Sequence, residues 1–209
     1  MSFIGKRLRR FRRDQRGAAA VEFALVLTPL LIIMMGGLEF AYVSYVRSLA
    51  QGALNDAARL ASVEDPALTS EGDTTEEQVK NYISGMVTLV AVDEVVITSQ
   101  SNYTDFSDIG SPEKLMTDHD KDGEYDETDG DCFEDMNGNG DFDLDAGSDG
   151  IGGASDVVFY QANVAMPRLL PIDKFLPIGS GSNFTLRTAV RSQPYGVQAA
   201  SPVICGVKA

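Results

Sequence analysis

The chain has no tryptophan, one histidine (His119) and two cysteines, and its 17 Lys and Arg face 31 Asp and Glu. One histidine leaves no room for a multi-histidine metal centre or for the usual histidine-based catalysis. Two cysteines cannot build a Cys₄ zinc site or a typical iron–sulfur cluster. The net charge of −14 argues against a nucleic-acid partner, because phosphate backbones are held by clustered Lys and Arg. No nucleophile–base pair and no phosphate-binding loop stands out, so the expectation is a protein without catalysis. What is present is enough apolar residue, 44%, to build a packed core in a chain of 209 residues.

The charge is segregated. Lys6, Arg7, Arg9, Arg10, Arg12, Arg13 and Arg16 lie in the first 17 residues with a single acid, Asp14. Without that segment ten bases face 30 acids, a net charge of −20. An uncharged run from Phe23 to Leu38 follows, and the apolar character continues across Glu39 to Val46. Such a helix is long enough to cross a hydrocarbon core of about 30 Å, and longer than the apolar region of about 7–15 residues in a cleaved secretory signal. The basic arm predicts that residues 1–17 stay in the cytoplasm and that the chain beyond about residue 47 lies outside it. A carboxylate at Glu22, near the cytoplasmic end of the span, costs about 2–3 kcal/mol. It either snorkels to the interface or awaits a cationic partner.

Beyond the span, Val46, Leu49, Ala50, Ala53, Leu54, Ala57, Leu60 and Ala61 fall on one stripe at helical spacing, so one helix is expected over 18–62. It would anchor the chain and pack on its own outer domain. Pro29 and the Gly36–Gly37 pair interrupt it, which a membrane tolerates. Residues 64–74 read as a turn-rich linker. Thr74 and Glu77 form a capping-box pattern opening a helix to about residue 91. Strands are expected at Glu94–Ser99, Asp156–Met166 and Phe184–Arg191, with a loop over 100–112 and a turn or short helix at Pro167, Pro171 and Pro177. The fold class expected is α+β: a long N-terminal transmembrane helix, then a small antiparallel β domain over 63–209.

Residues 113–149 hold 15 acids and only Lys114 and Lys121 as bases. In D-H-D-K-D-G-E-Y-D-E-T-D, Asp118, Asp120 and Asp122 fill positions one, three and five of a twelve-residue calcium loop. Gly123 takes the sharp turn, Glu124 offers a carbonyl at seven, Asp126 stands at nine and Asp129 at twelve. Tyr125 holds position eight, where an apolar residue normally anchors the loop. D-M-N-G-N-G-D-F-D-L-D-A is a looser second copy. There Asp135, Asn137 and Asn139 take one, three and five, Gly140 the turn, and Asp141, Phe142 and Asp143 follow. Ala146 cannot ligate at twelve, so Asp145 or Asp149 must substitute. Hard oxygen ligands at these intervals suit one or two Ca²⁺ ions. Cys132 and Cys205 both fall on the outer side, where disulfides persist; a bond between them would close a large loop.

Q-R-G followed by A-A-A-V-E-F-A-L-V-L, then L-E-F-A-Y and R-S-L-A-Q-G-A-L-N-D-A-A-R-L-A-S, resembles the TadE-like minor pilins or pseudopilins of the tight-adherence (Flp-type, type IV-like) pilus system. The resemblance covers residues 15–62. It implies cleavage by a membrane prepilin peptidase between Gly17 and Ala18, with Glu22, the fifth mature residue, as the assembly carboxylate and Glu39 as a second acid of the pattern. Ala18 in place of Phe departs from the major type IV pilins but suits this subfamily. The implied partners are other pilin subunits, assembly-platform proteins, the peptidase and the inner membrane. The outer domain would be periplasmic and, after processing, carried in an extracellular pilus. A scaffold of a secretion machine shares the same logic, and an anchored calcium-binding protein that never polymerises is a further reading. The outer half, including C-F-E-D-M-N-G-N-G-D-F-D-L-D, also resembles that of some TadE-like proteins, where it can be a structural loop as much as a metal site.

Overall fold

In a computed structural model, residues 17–63, 68, 70–87, 94–174, 179 and 181–207 are described. Helix α1 spans Ala18–Ala61 without a break. Its last turn is closed by Ser62, whose hydroxyl donates to the Arg59 carbonyl at 2.8 Å, and Arg59 complements the negative end of the helix dipole. Pro29 has no N–H to give, yet the helix runs through it, and the Thr28 hydroxyl donates to the Ala24 carbonyl beside it. Helix α2 spans Thr75–Val87; residues 88–91 of the expected stretch lie outside the described part. The Thr74 hydroxyl accepts from the Glu77 N–H at 3.2 Å, while the Glu77 carboxylate turns back to the N–H of Asp73 rather than that of Thr74.

The chain forms two compact units: residues up to Ser44 with Arg168–Ser180, and Tyr45–Pro167 with Gly181–Ala209. The larger unit contains two antiparallel sheets. In the first, the order is β4 (Ser148–Asp149), β1 (Glu94–Tyr103), β5 (Val157–Pro167), β6 (Gly181–Arg191). In the second, β3 (Cys132–Glu134) lies between β2 (Lys114–Thr117) and β7 (Val203–Cys205). The α+β class with a long apolar helix and antiparallel strands is as the sequence predicts.

The core of the larger unit is one cluster. Ala50, Ala53, Leu54, Ala57 and Ala58 of α1 meet Val79 and Ile83 of α2, and both helices pack on Val158, Tyr160, Ala162 and Val164 of β5 and Leu186 of β6. The alternation predicted for β5 places those residues inward because strand side chains change face at every step. The small residues of α1 let backbone and sheet approach closely. The predicted stripe of α1 is therefore buried by its own unit, with Leu49 and Leu60 at its margin.

Five strands differ from the expectation. Strand β1 continues to Tyr103, through residues 100–103 that read as loop. Ser99, Ser101 and Asn102 are polar, but each is paired on the ladder to β5, and the Ser99 and Ser101 hydroxyls meet at 3.2 Å on the outer face. A register shift between Ile97 and Ser99 disrupts the period-two pattern that would have announced the longer strand. The acidic tract contains β2, β3 and β4, each too short for alternation to show, and β7 in the tail completes the second sheet.

Candidate functional site

At the N-terminal junction the described chain begins at Gly17, exposed, and the α-helix begins at Ala18, the residue after the bond expected to be cut. Among the described residues, added bulk at Gly17 would meet nothing within 4 Å. Glu22 is exposed one turn along. Around it and beyond, Val21, Phe23, Leu25, Val26 and Ile33 are exposed apolar residues. The helix is long and apolar enough to cross a membrane, and its most apolar window has no burial within the chain. A single-pass anchor fits this helix.

Glu39 is placed differently from Glu22. It is buried at 6% exposure inside the smaller unit. Its Oε2 accepts from the backbone N–H groups of Leu169 (3.1 Å) and Leu170 (3.3 Å), and Oε1 lies 3.7 Å from Nη1 of Arg168. This carboxylate is committed to holding the segment after β5 against its own helix.

The two acidic loops are built alike, residue for residue. Asp118 accepts from the N–H groups of Lys121 (2.5 Å) and Gly123 (3.0 Å). Asp135 accepts from those of Gly138 (2.7 Å) and Gly140 (3.0 Å). Asp120 and Asp122 accept from the N–H two residues on, as do Asn137 and Asn139. Gly123 and Gly140 stand at φ 84° and 89°, the left-handed region that position six requires and that other residues enter at a cost. Tyr125 and Phe142, both at position eight, stack with centroids 4.9 Å apart, and Phe133 of β3 meets each of them edge-on at 5.0 and 5.5 Å. The loops thus form a pair joined through their anchor residues.

A buried carboxylate braces each loop at the same two points. Asp131 accepts from the N–H of His119 (2.9 Å) and of Asp126 (3.1 Å), positions two and nine. Glu113 accepts from those of Met136 (2.7 Å) and Asp143 (3.1 Å), again positions two and nine. The His119 N–H, then the Asp126 N–H, hold the Asp131 carboxyl below the usual range. Sequence spacing did not disclose Glu113 or Asp131, because one precedes its loop and the other follows; only the shared hydrogen-bond pattern reveals them. The Cys132–Cys205 disulfide joins β3 to β7, and the tail donates from the Gly206 N–H to the Asp131 carbonyl and accepts at Pro202 from the Asp135 N–H, both at 2.9 Å. The bond therefore ties the tail to the strand that carries Phe133.

The loops differ in charge. Oxygens of Asp118, Asp120 and Asp122 all lie within 4.8 Å of one another. The Asp122 N–H lowers the Asp120 carboxyl, but desolvation, the Asp122 charge, a hydrogen bond with Asp118 and the Asp129 charge together raise it. Three hard oxygens drawn together against their repulsion are a donor set that fits Ca²⁺. Asp126 accepts from the Thr128 N–H and caps the short helix Glu127–Asp129. Glu124 has its N–H bonded to Asp122 at 2.8 Å. In the second loop, the side-chain amides of Asn137 and Asn139 donate to Asp143 at 2.8 and 2.5 Å and lower its carboxyl, closing the loop by hydrogen bonds. Asp141 is exposed, and Asp145 accepts from the Gly147 N–H at 3.2 Å.

Among known proteins, no curated protein and no solved structure matches this chain. A family model described as TadE-like protein matches residues 17–59, beginning at the glycine of the junction and ending in the last turns of α1. Over residues 17–59, which take in most of α1, the chain is similar to the TadE-like family.

Proposed function

We propose that the chain is a minor pilin or pseudopilin that assembles through α1 into a tight-adherence pilus, or primes one, for surface attachment. The observation carrying this reading is a TadE-like match that begins at Gly17, where a helix with an exposed apolar surface also begins. The basic leader orients the chain in the membrane. A prepilin peptidase removes it between Gly17 and Ala18, and the mature chain packs laterally by residues 18–44 while the larger unit stays outside. Fractionation tests it. The mature chain is expected in surface fibres sheared from cells; complete retention in the membrane fraction would favour a scaffold that never enters a fibre.

The first acidic loop is proposed to hold Ca²⁺ through Asp118, Asp120 and Asp122, with Asp126, Asp129 and the Glu124 carbonyl as further donors. The ion would offset the carboxylate repulsion and stiffen the loop pair. The second loop, closed by Asn137 and Asn139 onto Asp143, needs an ion less. Calorimetric titration of the full chain in detergent is expected to show Ca²⁺ heat that D118N/D120N/D122N abolishes, with the thermal midpoint of the native chain rising at saturating metal. At a hundredfold excess over Kd the stabilisation is about 2.7 kcal/mol. Absence of heat at millimolar Ca²⁺ would remove the site.

A further inference from the structure

Glu39 is the sole acid between Phe23 and Val46, and it is buried at 6% exposure although Leu38 and Phe40 beside it are exposed at 56% and 76%. One side of α1 at this level is thus covered by Arg168–Leu170, and the other sides present apolar residues outward. A hydrocarbon core of about 30 Å takes about twenty residues of helix, so a span that begins at Val21 ends near Phe40. Glu39 then lies where acyl chains give way to headgroups, and the segment latched to it lies at the same depth. Leu169 is itself half exposed, and exposed Pro171 follows. Arg168 and exposed Lys174 supply positive charge to this segment, with Asp173 its one acid.

We infer that Arg168–Lys174 is an interfacial membrane contact: Glu39 latches it to α1, Leu169 enters the acyl boundary, and Lys174 reaches anionic headgroups. The occupant of this surface is the bilayer, because exposed Leu169 is held by its N–H to Glu39, whose neighbours on α1, Leu38 and Phe40, are exposed apolar residues at the end of the span. The inference rests on α1 crossing a membrane, and the experiment separates the two.

The chain has no tryptophan, so a single substitution gives an unambiguous reporter. Full-length L169W, I33W and V197W are reconstituted in phosphatidylethanolamine–phosphatidylglycerol vesicles carrying brominated acyl chains. Leu169→Trp is expected to be quenched at least about twofold more by shallow than by deep bromines, and Ile33→Trp the reverse. Val197→Trp, at an almost fully exposed position of the larger unit, is expected to be unquenched. In the E39Q/R168Q background the L169W quenching is expected to fall to the V197W level while I33W quenching persists. If I33W is quenched and L169W is not, the interfacial contact is wrong. If I33W itself is not quenched, the membrane span fails and the contact with it. A blue-shifted L169W signal without quenching would show burial against another protein copy and also overturn the inference.

Discussion

Replacing Glu22 with Ala is expected to leave the chain in the membrane, with its leader removed, and to abolish its entry into fibres. Glu22 is exposed on a helix whose neighbouring residues are apolar and equally exposed. A carboxylate in that setting costs about 2–3 kcal/mol. The proposed cleavage before Ala18 would create an ammonium group at the start of the same helix, and in a bundle of subunits one chain's Glu22 would meet its neighbour's new terminus. Each charge then offsets the other's desolvation, and only one axial register allows it. Removing Glu22 strands the neighbour's ammonium in apolar surroundings. The loss per interface is on the order of a hundredfold in association. Fibre and membrane fractions of cells carrying E22A, E22Q and E22D measure it. E22D should retain part of the assembly and the other two none; normal fibre incorporation of E22A would remove Glu22 from assembly. Glu39 is set differently: its oxygens face Arg168, Leu169 and Leu170 of the same chain.

Replacing Phe133 with Ala is expected to cost about 3–5 kcal/mol of the larger unit's stability. Phe133 is almost wholly buried and contacts both Tyr125 and Phe142, the anchor residues of the two loops. It also sits on β3 between Leu115 of β2 and Ile204 of β7. Truncation opens a cavity at the meeting point of loops, sheet and disulfide-bound tail, so the loops lose their common support. The variant should show both a lowered denaturation midpoint and weakened Ca²⁺ binding. A loss below about 0.5 kcal/mol, the range of surface substitutions, would mean that the loops are held independently of each other.

How far the sequence spoke depends on the range of the interaction. Helix α1 was legible because it rests on local hydropathy and on the Ala50–Ala61 stripe, and β5 because Val158 to Met166 alternate without interruption. The two acidic loops were legible as copies of one spacing, and the structure gives both one hydrogen-bond scheme, Asp118 matching Asp135 and Gly123 matching Gly140. The second sheet was not legible. Its strands are three or four residues long, and it unites Cys132 with Cys205 across a sequence separation of 73. The bracing carboxylates were hidden for the same reason: Glu113 and Asp131 look like two more acids in an acidic tract until their N–H partners are known. The latch at Glu39 joins positions 130 residues apart, and no local pattern signals it.

The central claim, that the chain is processed as a pilin before it acts, is tested most directly by the mass of the N-terminal peptide of protein purified from the membranes or fibres of its own cells. The account predicts a chain that begins at Ala18, shorter by the 17 residues of the basic leader. A mature chain that begins at Met1 or Ser2 would contradict it.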